Sequence, residues 1–100
     1  MINYPTEEEL DYIKNYNILE NDIIDLIEFI RSIWWPSGWG FKLSGKNVLK
    51  LELHTGGWSG NEDIIYALKQ TKLFWVACWV KSVRGGHYYF EIRLKMFEKK

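Results

Sequence analysis

The stretch Trp39–His54, WGFKLSGKNVLKLELH, decides the fold, because its apolar residues recur at every second position. In the first run Trp39, Phe41 and Leu43 alternate with small or polar residues. In the second run the leucines at 49, 51 and 53 do the same. This spacing is typical of strands with one buried face, and SGKN between the runs is typical of a turn. The stretch therefore predicts a β-hairpin that covers a core.

Residues 6–34, upstream of the hairpin, predict two acidic helices. The first begins with the capping box Thr6-Glu7-Glu8-Glu9, and the second has the same box spacing from Asn17 to Glu20. Pro36 disfavours helical conformation at the residue before it, so the second helix should end near Trp34. The apolar stripe of the second helix has helical spacing throughout, and it comprises Leu19, Ile23, Leu26, Ile27, Ile30, Ile33 and Trp34.

Downstream of the hairpin, the sequence predicts one more helix and two more strands. A third capping box, Ser59 to Glu62, opens the helix. The apolar run Leu73–Val80 predicts a strand buried on both faces, with Trp75 and Trp79 inside. Gly85-Gly86 predicts a two-residue turn before an alternating strand over residues 88–96.

We therefore expect one α+β domain over residues 1–100, with the element order ααββαββ. The acidic helices at 6–34 should pack on a ββαββ part at 39–97, which forms a small, mostly antiparallel, four-stranded sheet. In a helix-connected unit of this kind, the third strand should run in the same direction as the second.

Composition and charge exclude several classes of protein. Residues 1–10 lack the pattern of a signal peptide, and no apolar run approaches the roughly 20 residues that span a bilayer. The single cysteine, Cys78, has no partner for a disulfide bond, which indicates a reducing compartment. We therefore expect a cytoplasmic protein that does not bind membranes.

The net charge of zero hides an asymmetry between two parts of the chain. Residues 1–36 carry eight acidic and two basic residues, whereas residues 37–100 carry five acidic and eleven basic ones. One interpretation is that the acidic helices dock on the basic sheet and that each part weakens the electrostatic field of the other. The alternative is an acidic face that imitates nucleic acid toward a basic partner. Direct nucleic-acid binding is disfavoured because the basic residues are scattered along strands.

The predicted topology brings several distant segments to one edge of the sheet. In open sheets, ligands tend to bind beyond the carboxyl ends of the strands and beside the start of a helix. Glycines allow a close backbone approach, tryptophan rings stack on planar groups, and an arginine grips phosphate or carboxylate. The candidate ligand-binding residues at this edge are His54, Thr55, Gly57, Trp58, Ser59, Asn61, Glu62, Arg84, His87 and Trp39.

Other kinds of site fit this edge less well. A phosphate loop would carry a lysine after its last glycine, and this loop has none. A metal site from His54, His87 and Glu62 or Asp63 lacks dedicated ligand spacing, and nucleophilic catalysis would need Ser59 to be free of capping. We therefore expect no metal, no cofactor and no catalytic residues. The plainer alternative is that the glycines only make turns, Ser59 and Glu62 only cap, and Trp58 plugs the core.

Two tracts carry a resemblance to a known group of proteins. His54–Glu62, HTGGWSGNE, and Arg84–Tyr88, RGGHY, resemble tracts of small uncharacterised proteins carried by bacteriophages and prophages. The likeness covers about the last half of the chain. It implies a phage or mobile-element context, in which small proteins counter host defences, and it implies no mechanism.

Three functions follow as hypotheses from the edge, the charge and the resemblance. The first is a nonenzymatic, homo-oligomeric protein that binds a nucleotide-like molecule in the cytoplasm of the host cell and sequesters a host immune signal. The second is an inhibitor that binds a host defence protein through its acidic helices or exposed tryptophans. The third is a small nucleotide-processing enzyme with His54, His87 and Glu62 as acid and base groups.

Overall fold

The computed structural model describes residues 4–71 and 73–97, apart from the side chain of Ser37, and shows an α+β fold with helices packed on a sheet. The elements in chain order are α1 (Glu7–Lys14), α2 (Ile23–Ile33), α3 (Ser37–Gly40), β1 (Phe41–Ser44), β2 (Val48–His54), α4 (Ser59–Gln70), α5 (Phe74–Cys78), β3 (Trp79–Val83), β4 (His87–Arg93) and a final 3₁₀ turn (Leu94–Phe97). The predicted order of the main helices and the four strands is confirmed, with α3 and α5 as short additions.

The four strands form one sheet in the order β1-β2-β4-β3, and every neighbouring pair is antiparallel. Both β2 and β3 run antiparallel to β4, so they share a direction, as predicted, although β4 separates them. The register places His54 opposite His87 at one end of the sheet, and Val48 opposite Arg93 at the other.

One face of the sheet is apolar and closes the core. Leu49, Leu51 and Leu53 of β2 are buried there beside Phe90 and Ile92 of β4. The helices cover this face with their own buried residues, which include Ile13, Ile23, Leu26, Ile27, Ile30, Ile64, Ile65 and Leu68. Because side chains alternate along a strand, the other face carries the polar residues of β2 and β4. The predicted period-two pattern of β2 is confirmed.

The two N-terminal helices differ in how well their starts were predicted. The Thr6–Glu9 capping box is present, with Thr6 N–H donating to Glu9 (2.8 Å) and Glu9 N–H donating to Thr6 (3.0 Å). The predicted start of the second helix at Asn17 is wrong, because Asn17 Oδ1 accepts from Leu19 N–H and holds a separate turn. Asp22 caps α2 instead, and Leu19 lies exposed outside the core.

The predicted strand over residues 73–80 is also wrong. Leu73 adopts a left-handed backbone conformation (φ 63°), and the chain then makes the helical turn of α5. Phe74 and Cys78, four residues apart, bury one face of that turn, while Val76 on the other face is exposed. Trp75 is half-buried and Trp79 is exposed, so the expectation that both lie inside the core fails.

Three local details around the predicted edge differ from expectation. Trp39 lies in the helical turn α3, so β1 begins only at Phe41. The loop between β3 and β4 has three residues, since Val83 pairs with His87 and Arg84 therefore has no strand partner. Ser59 is the first residue of α4 and does not cap it, so the predicted Ser59–Glu62 capping box is wrong.

The acidic helices and the basic sheet meet through apolar residues in the described fold. The ion pairs Glu28–Arg31, Glu52–His54 and Glu91–Arg93 each join two groups on the same element. The helices meet the sheet through apolar residues, which leaves Glu7, Glu8, Asp11, Asp22, Asp25 and Glu28 exposed. None of these three pairs joins the acidic helices to the basic sheet.

In residues 4–71 and 73–97, no helix is long and apolar enough to cross a membrane.

Candidate functional site

The two histidines of the chain meet at the end of the sheet. His54 ends β2 and His87 begins β4, and their Nδ1 atoms lie 2.8 Å apart, which is a hydrogen-bond distance. The second nitrogen of His54, Nε2, lies 3.2 Å from Glu52 Oε1. The three side chains share the polar face of the sheet because Glu52 and His54 are two residues apart on one strand. They form a continuous chain of hydrogen bonds.

When Glu52 is ionised and both histidines are neutral, the donor count of this chain determines what His87 offers outward. With Glu52 ionised, His54 donates its Nε2 proton to the carboxylate and accepts at Nδ1 from His87. His87 Nε2 then carries a lone pair and is the free end of the chain. It faces the loop at Gly85, where a Cβ would lie 3.2 Å from this nitrogen.

Trp39 lies beside His54, Gly57 belongs to the loop after His54, and Arg84 belongs to the loop before His87; we call these five residues the histidine rim. The Trp39 ring lies 6.5 Å from the His54 ring between centroids and is 55% exposed. Gly57 has a left-handed backbone (φ 76°), and a Cβ there would meet no atom within 4 Å. Arg84 is exposed in the loop that leads to His87. The rim therefore combines an open ring face, an approachable backbone, a cation and an imidazole nitrogen.

Thr55 and Gly86 lock the two loops of the rim together. Thr55 N–H donates to Gly86 O (2.9 Å), and Thr55 Oγ1 accepts from Gly57 N–H (3.3 Å). A Cβ at Gly86 would lie 2.1 Å from Thr55 Oγ1, so only glycine fits there. Thr55 is buried, and its role is to hold the loops rather than to contact a ligand directly.

Asn61, a predicted ligand-binding residue, lies inside the protein instead. Its side chain is fully buried (0% exposed). Oδ1 accepts from Trp35 N–H (3.1 Å), and Nδ2 donates to the carbonyls of Trp35 and Thr55, the latter at 3.3 Å. Both N–H groups of its amide are in use, and its oxygen accepts one hydrogen bond. Asn61 therefore ties the segment after α2 to the end of β2, and it positions the rim from beneath.

Trp58 and Ser59 are also engaged by the protein itself. The Trp58 ring is half-buried between Tyr4, at 5.1 Å and nearly parallel, and Trp35, at 5.3 Å. A Cβ at Gly60 would lie 2.6 Å from this ring, so the glycine makes room for it. The Ser59 hydroxyl hydrogen-bonds to the Tyr4 hydroxyl. These contacts support the interpretation that Trp58 plugs the core over the interpretation that it contacts a ligand directly.

Glu62 lies exposed on the first turn of α4, and Glu52 is the carboxylate that contacts His54. Sequence reasoning missed Glu52, although its position two residues before His54 on an alternating strand places both on one face. It also missed Tyr89, whose ring meets the His54 ring edge-on at 5.9 Å. Tyr89 lies opposite Glu52, and only the strand register reveals that pairing.

Neither metal-binding nor thiol chemistry gains support at the rim. In the part of the chain that the structure describes, no three His, Cys, Asp or Glu side chains are placed to hold a metal ion. Cys78 is buried in the core, and burial raises its pKa to about 12, so the thiol stays protonated and unreactive at neutral pH. Comparison of the chain with protein families, curated proteins and solved structures finds no match.

Proposed function

We propose that this protein is a nonenzymatic binding protein that holds a small planar, anionic, nucleotide-like molecule at the histidine rim. The observation that carries the proposal is the contact of the His54–His87 pair beside an exposed tryptophan, with an exposed arginine in the loop that leads to His87. Exposed large aromatic rings beside a few convergent polar groups are typical of ligand sites.

Each member of the rim supplies a different part of the recognition. The face of Trp39 stacks on a base, as aromatic side chains do when they bind unpaired nucleotides. Arg84 forks onto a phosphate group with two N–H donors. His87 Nε2 accepts a hydrogen bond when the pair is neutral and donates one to an anion when the pair carries a proton. Gly57 allows the ligand to approach the backbone.

The close contact of the histidines favours binding over turnover. A general acid and a general base act on a substrate that lies between them or beside both. At 2.8 Å the facing Nδ1 atoms leave no space between the rings for a reacting group. Together with the resemblance to phage and prophage proteins, this supports a role in which the protein sequesters a host immune signal without consuming it.

Thermal-shift and calorimetric titration against a nucleotide panel, with mono-, di- and cyclic nucleotides, tests the proposal. A ligand at 100 times its Kd should stabilise the protein by about 2.7 kcal/mol. Arg84→Lys and His87→Ala should keep the melting temperature and lose most of the ligand-induced shift. Arg93→Lys is the matched control, because Arg93 is exposed at the opposite end of the sheet.

Three results would count against the proposal. If no nucleotide shifts the melting temperature, the rim does not bind this class of ligand. If Arg84→Lys and Arg93→Lys bind equally well, the arginine of the rim does not grip the anion. If chromatography of the mixture shows that the nucleotide is chemically converted, the protein is an enzyme rather than a binding protein.

A further inference from the structure

An open groove of about 370 Å³ lies on the helical side of the protein, between the start of α1 and the end of α2. One wall comes from Tyr4 and the first turn of α1, including Glu9, and the other from Ile33 and Trp35. The volume is at the small end of ligand pockets. It is open to solvent, and the residues that line it all belong to the acidic part of the chain.

Two aromatic rings stand exposed at this groove. Tyr4 is 56% exposed and Trp35 is 42% exposed, although both are large rings that a core would normally cover. Each leans against Trp58, which lies between them, so the three rings support one another. Aromatic faces that are held in place and open to solvent attract cations through the ring quadrupole.

The polar groups at the groove favour a positive charge. Glu9 contributes a carboxylate, of which Oε1 accepts from Thr6 N–H. The helix α2 ends at Ile33, and the carboxyl end of a helix carries partial negative charge. None of the described residues that line the groove is a lysine or an arginine. Arg31, on the last turn of α2, instead pairs with Glu28 at 3.2 Å and lies over the Phe41 ring at 4.8 Å.

We propose that this groove binds an arginine side chain of a basic protein partner. A guanidinium group is planar, so it stacks on Tyr4 or Trp35 while its N–H groups fork onto Glu9. The helix α1 extends the negative charge beyond this one side chain, because Glu7, Glu8 and Asp11 are also exposed on it. That extended charge complements a basic protein segment better than an isolated small cation. The proposal is independent of the ligand at the histidine rim.

Binding of a fluorescein-labelled nona-arginine peptide at physiological ionic strength tests the groove, with nona-lysine as the comparison. The arginine peptide should bind more tightly than the lysine peptide of equal charge. Trp35→Leu and Tyr4→Leu keep apolar bulk but remove the ring, and each should weaken arginine binding about two- to fivefold. Glu9→Gln keeps the capping box at the start of α1 and should weaken binding more than Glu28→Gln, a control outside the groove.

Two outcomes overturn the proposal. If both peptides bind equally tightly, and Glu9→Gln and Glu28→Gln lose the same affinity for the arginine peptide, the peptides bind the acidic surface in general and the groove has no special role. If free arginine amide binds as tightly as the peptide, the groove takes a small cation rather than a segment of a protein. Circular dichroism of each variant establishes that it is folded before it is compared.

Discussion

Replacement of Asn61 by alanine should strongly destabilise the protein, because three backbone groups would lose a hydrogen bond and two of them would be left without a partner. The N–H and the carbonyl of Trp35 would be left unpaired, whereas the carbonyl of Thr55 would keep the N–H of Trp58 as its donor. A buried polar group left without a partner costs about 1 to 3 kcal/mol. The contacts to Trp35 are only partly buried, so water recovers some of that loss. We expect a total loss of roughly 3 to 4 kcal/mol.

Urea denaturation followed by tryptophan fluorescence measures this loss directly. In a domain of this size it corresponds to a fall in Tm on the order of 15 °C. The control is Gln70→Ala on the same helix, since Gln70 is exposed and its amide makes a single long contact (3.4 Å) with the Tyr66 carbonyl. That control should change stability by less than about 0.5 kcal/mol.

The result that would refute the reasoning is a loss below about 1 kcal/mol for Asn61→Ala, the size of an ordinary surface hydrogen bond. Stability would then not depend on the bridge between the segment after α2 and the end of β2. Asn61 would return to the set of ligand-binding candidates, and the loss of nucleotide binding without loss of stability would identify it as one.

Two further predictions concern a tight glycine contact and a buried thiol. Gly86→Ala should destabilise more than Gly57→Ala in urea, because both have positive φ but only the former places a Cβ against Thr55, at 2.1 Å; equal losses would show that this contact is unimportant. Burial raises the pKa of Cys78 to about 12 in the folded protein, so the unfolded chain loses the thiol proton at lower pH. The contribution of this group to stability is therefore fully present below about pH 8.5, and it should be lost as the pH rises toward 12. The slope, up to about 1.4 kcal/mol per pH unit, should be shallower in Cys78→Ala, whereas an unchanged slope would assign the whole effect to other groups such as Tyr16.

Local patterns predicted much of the fold. The alternation at Leu49, Leu51 and Leu53 identified a half-buried strand, and the Thr6–Glu9 box identified the start of α1. The apolar run at residues 73–80 misled, because a short run without polar residues does not distinguish a strand from a helical turn. Phe74 and Cys78, four residues apart, are both buried, and this spacing places them on one face of a helix. Tertiary packing therefore favours the helical turn over a strand.

The candidate site was predicted in position better than in composition. The topology argument brought His54 and His87 to the same end of the sheet, where the structure places them in contact. It did not separate Asn61, which is buried as a brace, from exposed neighbours such as Glu62, because both follow the same glycine-rich loop. Residue type and spacing show which groups are near a site, whereas only coordinates show which of them face solvent.

The open edges of the sheet bear on how the protein behaves at high concentration. The strand β3 pairs on one side only, and it exposes Trp79, Val80 and Val83, a composition that invites pairing with a second chain. Lys81 lies at its centre, next to an irregularity in the register. Two copies joined edge to edge about this residue would bring two ammonium groups face to face. A charged side chain and a distorted ladder at one position thus discourage fibril growth along this edge.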